Sequence, residues 1–161
     1  LTVIRVDKDV DNLSLTVVAE FAAPIERVWQ LWADPRQLER WWGPPAYPAT
    51  VERHDLSPGG EVTYFMTGPD GDRSRGRWGI ASVDPPRSLE FVDGFADHDG
   101  TPSDELPTTA IRVELAEHEG VTRMEIRSIF ASLEHMEQVV DLGAVEAFQL
   151  AVGQADTVLA G

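Results

Sequence analysis

The chain has 161 residues, 42% of them hydrophobic and 25% charged, which is the size and make-up of one folded domain and excludes wholesale disorder or a repeat architecture. Thirteen Lys and Arg against twenty-eight Asp and Glu leave a formal charge of −15. That field repels nucleic-acid phosphates and anionic membrane surfaces, so neither is an expected partner, and a well-solvated surface is the bland account of the acidity.

No Cys is present, so there is no disulfide framework, thiolate nucleophile or sulfur metal site, and the cytoplasm is the default location. Residues 1–11 are charged and alternating, and no stretch approaches 18 apolar residues, so neither a signal peptide nor a membrane span is expected. Whether residues precede Leu1 is left open.

The first predicted strand is 13–21, rich in β-branched and apolar residues and ended by Ala23-Pro24. Pro24 suits a helix start, and Ile25, Val28, Trp29, Leu31 and Trp32 recur at helical spacing up to Asp34-Pro35. A second short helix carries Leu38, Trp41 and Trp42 before Gly43-Pro44-Pro45. From residue 46 the period changes to two and Gly-containing turns recur at short intervals, predicting an antiparallel meander. Its strands are 49–56, 61–67, 73–83, 88–95, 109–116 and 121–130.

Alternation assigns faces. Val62, Tyr64 and Met66 share one side; Gly76, Trp78 and Ile80 point inward, with Arg73, Arg75 and Arg77 outward; Leu89, Phe91, Asp93 and Phe95 share a side. Ile111, Val113 and Leu115, then Met124, Ile126, Ser128 and Phe130, are the inward sets of the last two strands. Residues 95–107 form an acidic loop with Gly and Pro. From 133 to 159, Met136, Val140, Gly143, Ala147, Ala151, Ala155 and Val158 recur at three- and four-residue steps, predicting one long helix of roughly 40 Å. The expectation is an α+β domain spanning 1–161, with about seven antiparallel strands and a long C-terminal helix on one face.

Leu31-Trp32-Ala33-Asp34-Pro35, then Trp41-Trp42-Gly43-Pro44, then Leu56-Ser57-Pro58-Gly59-Gly60 entering a strand, resemble the family named after the activator of the heat-shock-protein-90 ATPase. That family lies within the START-like superfamily, also called SRPBCC or birch-pollen-allergen-like. The stretch 81–91, with Asp84-Pro85-Pro86 at its turn, and the final helix are similar to further elements of it. The resemblance covers about residues 13 to 160. It implies a helix-grip fold, in which the helix stands off a strongly bent sheet and leaves a cavity. Superfamily members include carriers of hydrophobic ligands, aromatic cyclases, hormone receptors and domains without assigned activity, so function has to be read from the site.

The expected ligand-binding set is Trp42, Tyr47, Tyr64, Met66, Trp78, Phe91, Asp93, Phe95, Met124, Ile126, Phe130, Val140, Ala144 and Phe148: large apolar surface with a few polar handles. Singly, each aromatic reads more readily as ordinary core, and it is the set that points to a cavity. Asp93 is the leading polar candidate, because a carboxylate at an inward position must be paired or protonated; otherwise it is a strand-end residue in water. Glu146 belongs one helical step onto the solvated side. His54, His98, His118 and His135 are dispersed, and Asp97-His98-Asp99 reads as surface turn chemistry, so no metal and no cofactor is expected. No Gly-x-Ser-x-Gly turn supports a hydrolytic nucleophile, and Gly59-Gly60 is a hairpin turn, not a phosphate loop.

Three functions follow. The first is binding of a small hydrophobic or aromatic molecule. The second is a cofactor-free cyclase or dehydratase in the same cavity, with Asp93, Tyr64 or His98 moving a proton. The third, from the family's name alone, is a module that stimulates a chaperone ATPase. The edges of an incomplete sheet also allow pairing as a homodimer.

Overall fold

The structure is a computed structural model that describes residues 3–96, 108–141 and 143–160. The chain runs through β1 (Val3–Asp9), β2 (Ser14–Phe21), α1 (Ile25–Ala33) and α2 (Pro35–Trp41). It continues through β3 (Ala49–His54), β4 (Glu61–Thr67), β5 (Arg73–Asp84), β6 (Ser88–Ala96), β7 (Thr109–His118) and β8 (Val121–Ile129), and closes with α3 (Leu133–Asp141) and α4 (Ala144–Ala160). The strands pair antiparallel in the order β1-β2-β8-β7-β6-β5-β4-β3, one open, curved sheet in an α+β architecture. Register shifts at Val3/Arg5, Val51/Arg53 and Ile80/Ser82 bend it.

Two expectations are corrected. The charged, alternating start of the chain is an eighth strand, β1, paired with β2. An edge strand needs one hydrogen-bonded neighbour and one half-buried face, so it can carry exposed Arg5, Asp7 and Lys8 while Val6 packs on Leu15, Phe130 and Met136. The long C-terminal helix is two helices. Gly143 adopts φ +81°, a left-handed conformation that glycine tolerates and that ends a helix, so α3 stops and α4 starts afresh over 17 residues, about 25 Å.

The strand phases hold: Val62, Tyr64, Gly76, Trp78, Ile80, Leu89, Phe91, Ile111, Val113, Leu115, Met124 and Ile126 are buried. Each large apolar side chain among them stabilises the fold by roughly 1.5–3 kcal/mol. Against this face α1 and α2 press Trp32, Trp41 and Trp42. Trp32 and Trp41 meet edge to face at 4.8 Å, and Trp78 stacks on Phe91 at 4.0 Å. Trp41 Nε1 donates to the Leu31 carbonyl at 2.9 Å and Trp32 Nε1 to Met124 Sδ at 3.4 Å, so the polar edges of both indoles are satisfied.

Local chemistry sets the helix ends. Asp34 caps α2 by accepting from the Arg36 N–H, with Pro35 in the first turn; that bond, the largest influence on its carboxyl, holds it below the usual range. Pro24 gives α1 no side-chain cap; Glu117 at the end of β7 accepts the Ile25 N–H at 2.6 Å instead. Gln154 Nε2 of α4 donates to the Gly43 carbonyl at 2.6 Å, which ties α4 to the end of α2 and so places Trp42. Among the described residues no helix is long and apolar enough to cross a membrane.

Candidate ligand cavity

A cavity of about 420 Å³ is walled on one side by β4, β5 and β6 and on the other by α3 and α4, with Trp42, Pro44 and Tyr47 from the α2–β3 connection at its end. Its helix wall is His135, Val139, Ala144, Ala147, Phe148 and Ala151. Small residues there leave space that larger side chains would fill.

The polar part of the sheet wall follows from strand register. Tyr64 of β4 lies opposite Gly76 of β5, and Trp78 of β5 lies opposite Asp93 of β6. A Cβ on Gly76 would sit 2.2 Å from Tyr64 Cζ and 2.3 Å from its hydroxyl oxygen, so the phenol lies across β5 where no side chain intervenes. Its hydroxyl reaches β6 and donates to Asp93 Oδ1 at 3.0 Å.

Burial pushes the Asp93 carboxyl up to about 7, against the opposing pull of the Tyr64 hydroxyl, the Trp78 indole and the Gly94 N–H, which favour the charged form. Asp93 keeps some accessible surface, but it lines the cavity, so that surface opens on the apolar space and supplies little hydration. Tyr64 is held well above its ordinary value, first by burial and then by the Asp93 charge. The indole N–H groups of Trp42 and Trp78 lie near Tyr64 and Asp93 and act on them through their dipoles, yet neither makes a geometrically sound hydrogen bond. Trp42 Nε1, Trp78 Nε1 and His135 Nδ1 are the buried side-chain polar atoms without a partner among the described residues.

Of the expected ligand-binding set, Trp42, Tyr47, Tyr64, Met66, Asp93, Phe95, Ala144 and Phe148 line this cavity. Trp78 and Phe91 do not; they form a stacked layer behind it, with Trp78 4.9 Å from Trp42. Met124 and Ile126 are fully packed in the main core, and Phe130 belongs to a separate cluster with Leu15 and Met136. Val140 is half-buried off the cavity, and its neighbour Val139 takes the wall position. Glu146 is exposed, as its helical phase requires. His98, with Asp97 and Asp99, lies outside the described residues. Among the described residues no group of three or more His, Asp or Glu is placed to hold a metal ion.

Several lining residues escaped the sequence reading: His135, Thr109, Ser74, Gly94 and Pro44, and Arg75, which was assigned outward. Arg75 borders the cavity while its guanidinium pairs with Glu52. The signal for His135 was Gly143. With the helix ended there, α3 turns His135 and Val139, one helical turn apart, to the cavity and Met136 to the second cluster.

The profile of a protein family described as Activator of Hsp90 ATPase homolog 1-like protein matches residues 22–156. The chain belongs to that family. Among family-like structures, Ms6760 from Mycobacterium smegmatis is 52% identical with a TM-score of 0.89, covering 98% of this chain and 96% of that one. A protein from Arthrobacter aurescens is 51% identical with a TM-score of 0.94, covering 99% and 92%. One from Staphylococcus epidermidis, 23% identical with a TM-score of 0.85 over 98% and 94%, shares the fold. No curated protein matches the chain.

Proposed function

We propose that the protein binds a small hydrophobic or aromatic molecule in this cavity. The observation that carries the reading is the contrast between walls: apolar surface almost throughout, with one convergent polar pair, Tyr64–Asp93, on the sheet side. A pocket of this kind takes up an apolar body by the hydrophobic effect and orients it by one polar group. Native mass spectrometry of gently purified protein tests this. A small-molecule adduct that is lost on denaturation supports binding; a chain that stays bare after incubation with a panel of uncharged aromatic and lipid compounds counts against it.

One observation favours a second reading, a cofactor-free cyclase or dehydratase. A carboxyl held at about 7 is half protonated near neutrality, which suits it to give or take a proton in a substrate held beside it. Asp93→Asn would then abolish turnover of a reactive polyketide-like substrate while leaving its binding within a few-fold. Turnover that survives the substitution removes Asp93 as the acid–base group.

A further inference from the structure

Asp93 and Thr109 are register partners on β6 and β7, and both border the cavity from the sheet side. A carboxylate has about four acceptor positions. Asp93 uses Oδ1 for the Tyr64 hydroxyl at 3.0 Å, and no other side chain among the described residues donates to it with sound geometry. The indole nitrogens of Trp42 and Trp78 and the Nδ1 of His135 are unpartnered but sealed, so no ligand reaches them. The Asp93 oxygens are not among these sealed atoms: the residue is half-buried, sits in the inward phase of its strand, and turns its remaining surface to the apolar space. Thr109 is half-buried in the same phase as buried Ile111, and its hydroxyl is not among the sealed atoms either. The sheet wall thus holds an open acceptor beside a hydroxyl, facing a helix wall that includes Val139, Ala144, Ala147 and Phe148.

We propose that Asp93 and Thr109 together hold a hydroxyl of the ligand, which is an uncharged ring compound with a phenol-type O–H at its sheet end; this rests on the binding reading above. A hydroxyl donates to the carboxylate, a charge-assisted bond stronger than one between neutral groups, and its oxygen accepts from the Thr109 hydroxyl. An ether or ketone cannot donate, and sets oxygen against oxygen at an ionised carboxylate. A carboxylate-headed ligand repeats the charge of Asp93 and finds no free cation: Arg75 pairs with Glu52, and burial holds His135 below its ordinary value, hence neutral at pH 8. An ammonium brings three donors to a wall with one carboxylate, and the apolar remainder does not replace its lost hydration.

The test titrates 2-naphthol and 2-methoxynaphthalene, in which a methyl group replaces the hydroxyl hydrogen, calorimetrically into the wild-type protein and Asp93→Asn. At pH 8 a carboxyl that titrates at about 7 is chiefly ionised and only accepts. The wild type binds 2-naphthol at least about ten-fold more tightly, since the site penalises a ligand that cannot donate. Asp93→Asn leaves its amide oxygen to Tyr64 and turns an NH₂ donor to the cavity, which serves the oxygen of either compound, so the preference falls to about two-fold or less. Thr109→Val keeps the shape, loses the hydroxyl and weakens 2-naphthol by about three-fold; an unchanged affinity overturns the part given to Thr109. Equal affinities in the wild type, or a preference that survives Asp93→Asn, overturn the proposal while leaving binding intact. Tighter binding of 2-naphthylmethylamine than of 2-naphthol also overturns it, making the ligand a cation. Failure of all three compounds to bind the wild type sinks the binding reading itself. Should Asp93→Asn not fold, the ¹³Cγ resonance of Asp93 in the wild type decides: it moves with 2-naphthol and not with 2-methoxynaphthalene, and an unmoved resonance overturns the assignment.

Discussion

Gly76 decides where the Tyr64 phenol goes, and through it the state of Asp93. A methyl group at position 76 would overlap the phenol at 2.2 Å, so Gly76→Ala has to push Tyr64 off β5 and break its bond to Asp93. The expected cost is about 1–3 kcal/mol in urea unfolding. Gly79, three residues along the same strand, has open space where its Cβ would be, so Gly79→Ala changes stability by less than about 0.5 kcal/mol. Equal effects at the two sites would show that glycine here serves the strand and not the phenol. Asp93 itself gives a pH signature. The unfolded carboxyl titrates near about 3.9 and the folded one at about 7. The native state therefore holds a proton that the unfolded chain has released between those values. Stability from Asp93 is whole below about pH 4 and is lost as pH rises through 7, by a few kcal/mol at most at about 1.4 kcal/mol per unit. Asp93→Asn keeps an oxygen for Tyr64 but cannot ionise. Its melting temperature relative to wild type rises from pH 5 to pH 8; a difference that stays flat over that range contradicts a buried, near-neutral carboxyl.

At the scale of elements, the break at Gly143 matters most, because it turns α3 so that His135 and Val139 face the cavity while α4 presents Ala144, Ala147 and Phe148. A Cβ at position 143 meets nothing closer than Glu146 Oε2 at 3.9 Å, so Gly143→Ala suffers only the left-handed backbone penalty, about 1 kcal/mol. A neutral or stabilising result in the urea midpoint would mean that the helix runs through 143. This break also marks where the sequence stops being legible. Period-two alternation gave the inward faces of β4 to β8 correctly except at the end of β6, where Phe95 borders the cavity half exposed, because a strand's side chains can only alternate. A helix lets one polar-to-apolar pattern fit two adjacent stripes, so Val140 was read in place of Val139, and His135 was passed over as dispersed. β1 was missed for another reason: an edge strand with charged residues on its open face lacks the apolar run that announces an interior strand. Alternation also says which residues face inward but not how far in. Trp78, Phe91, Met124 and Ile126 have the same phase as Tyr64 and Asp93, yet lie behind or beyond the cavity, because the depth of each position depends on how α1, α2 and α4 sit on the bent sheet.

On the scale of the molecule, a sheet of eight strands bends under three register irregularities, α1 and α2 fill one part of its concave face with tryptophan, and α3 and α4 leave the remainder open. The central claim is that this remainder is a binding site for an uncharged aromatic molecule. The most direct measurement is a two-dimensional ¹H–¹⁵N spectrum titrated with 2-naphthol. The account predicts saturable shifts concentrated on Gly76, Gly94, Thr109, Ala144 and Ala147, which line both walls of the cavity, with the outer-face residues Arg112, Glu114 and Arg127 unmoved. Shifts that do not saturate, or that fall on the outer face, would contradict it.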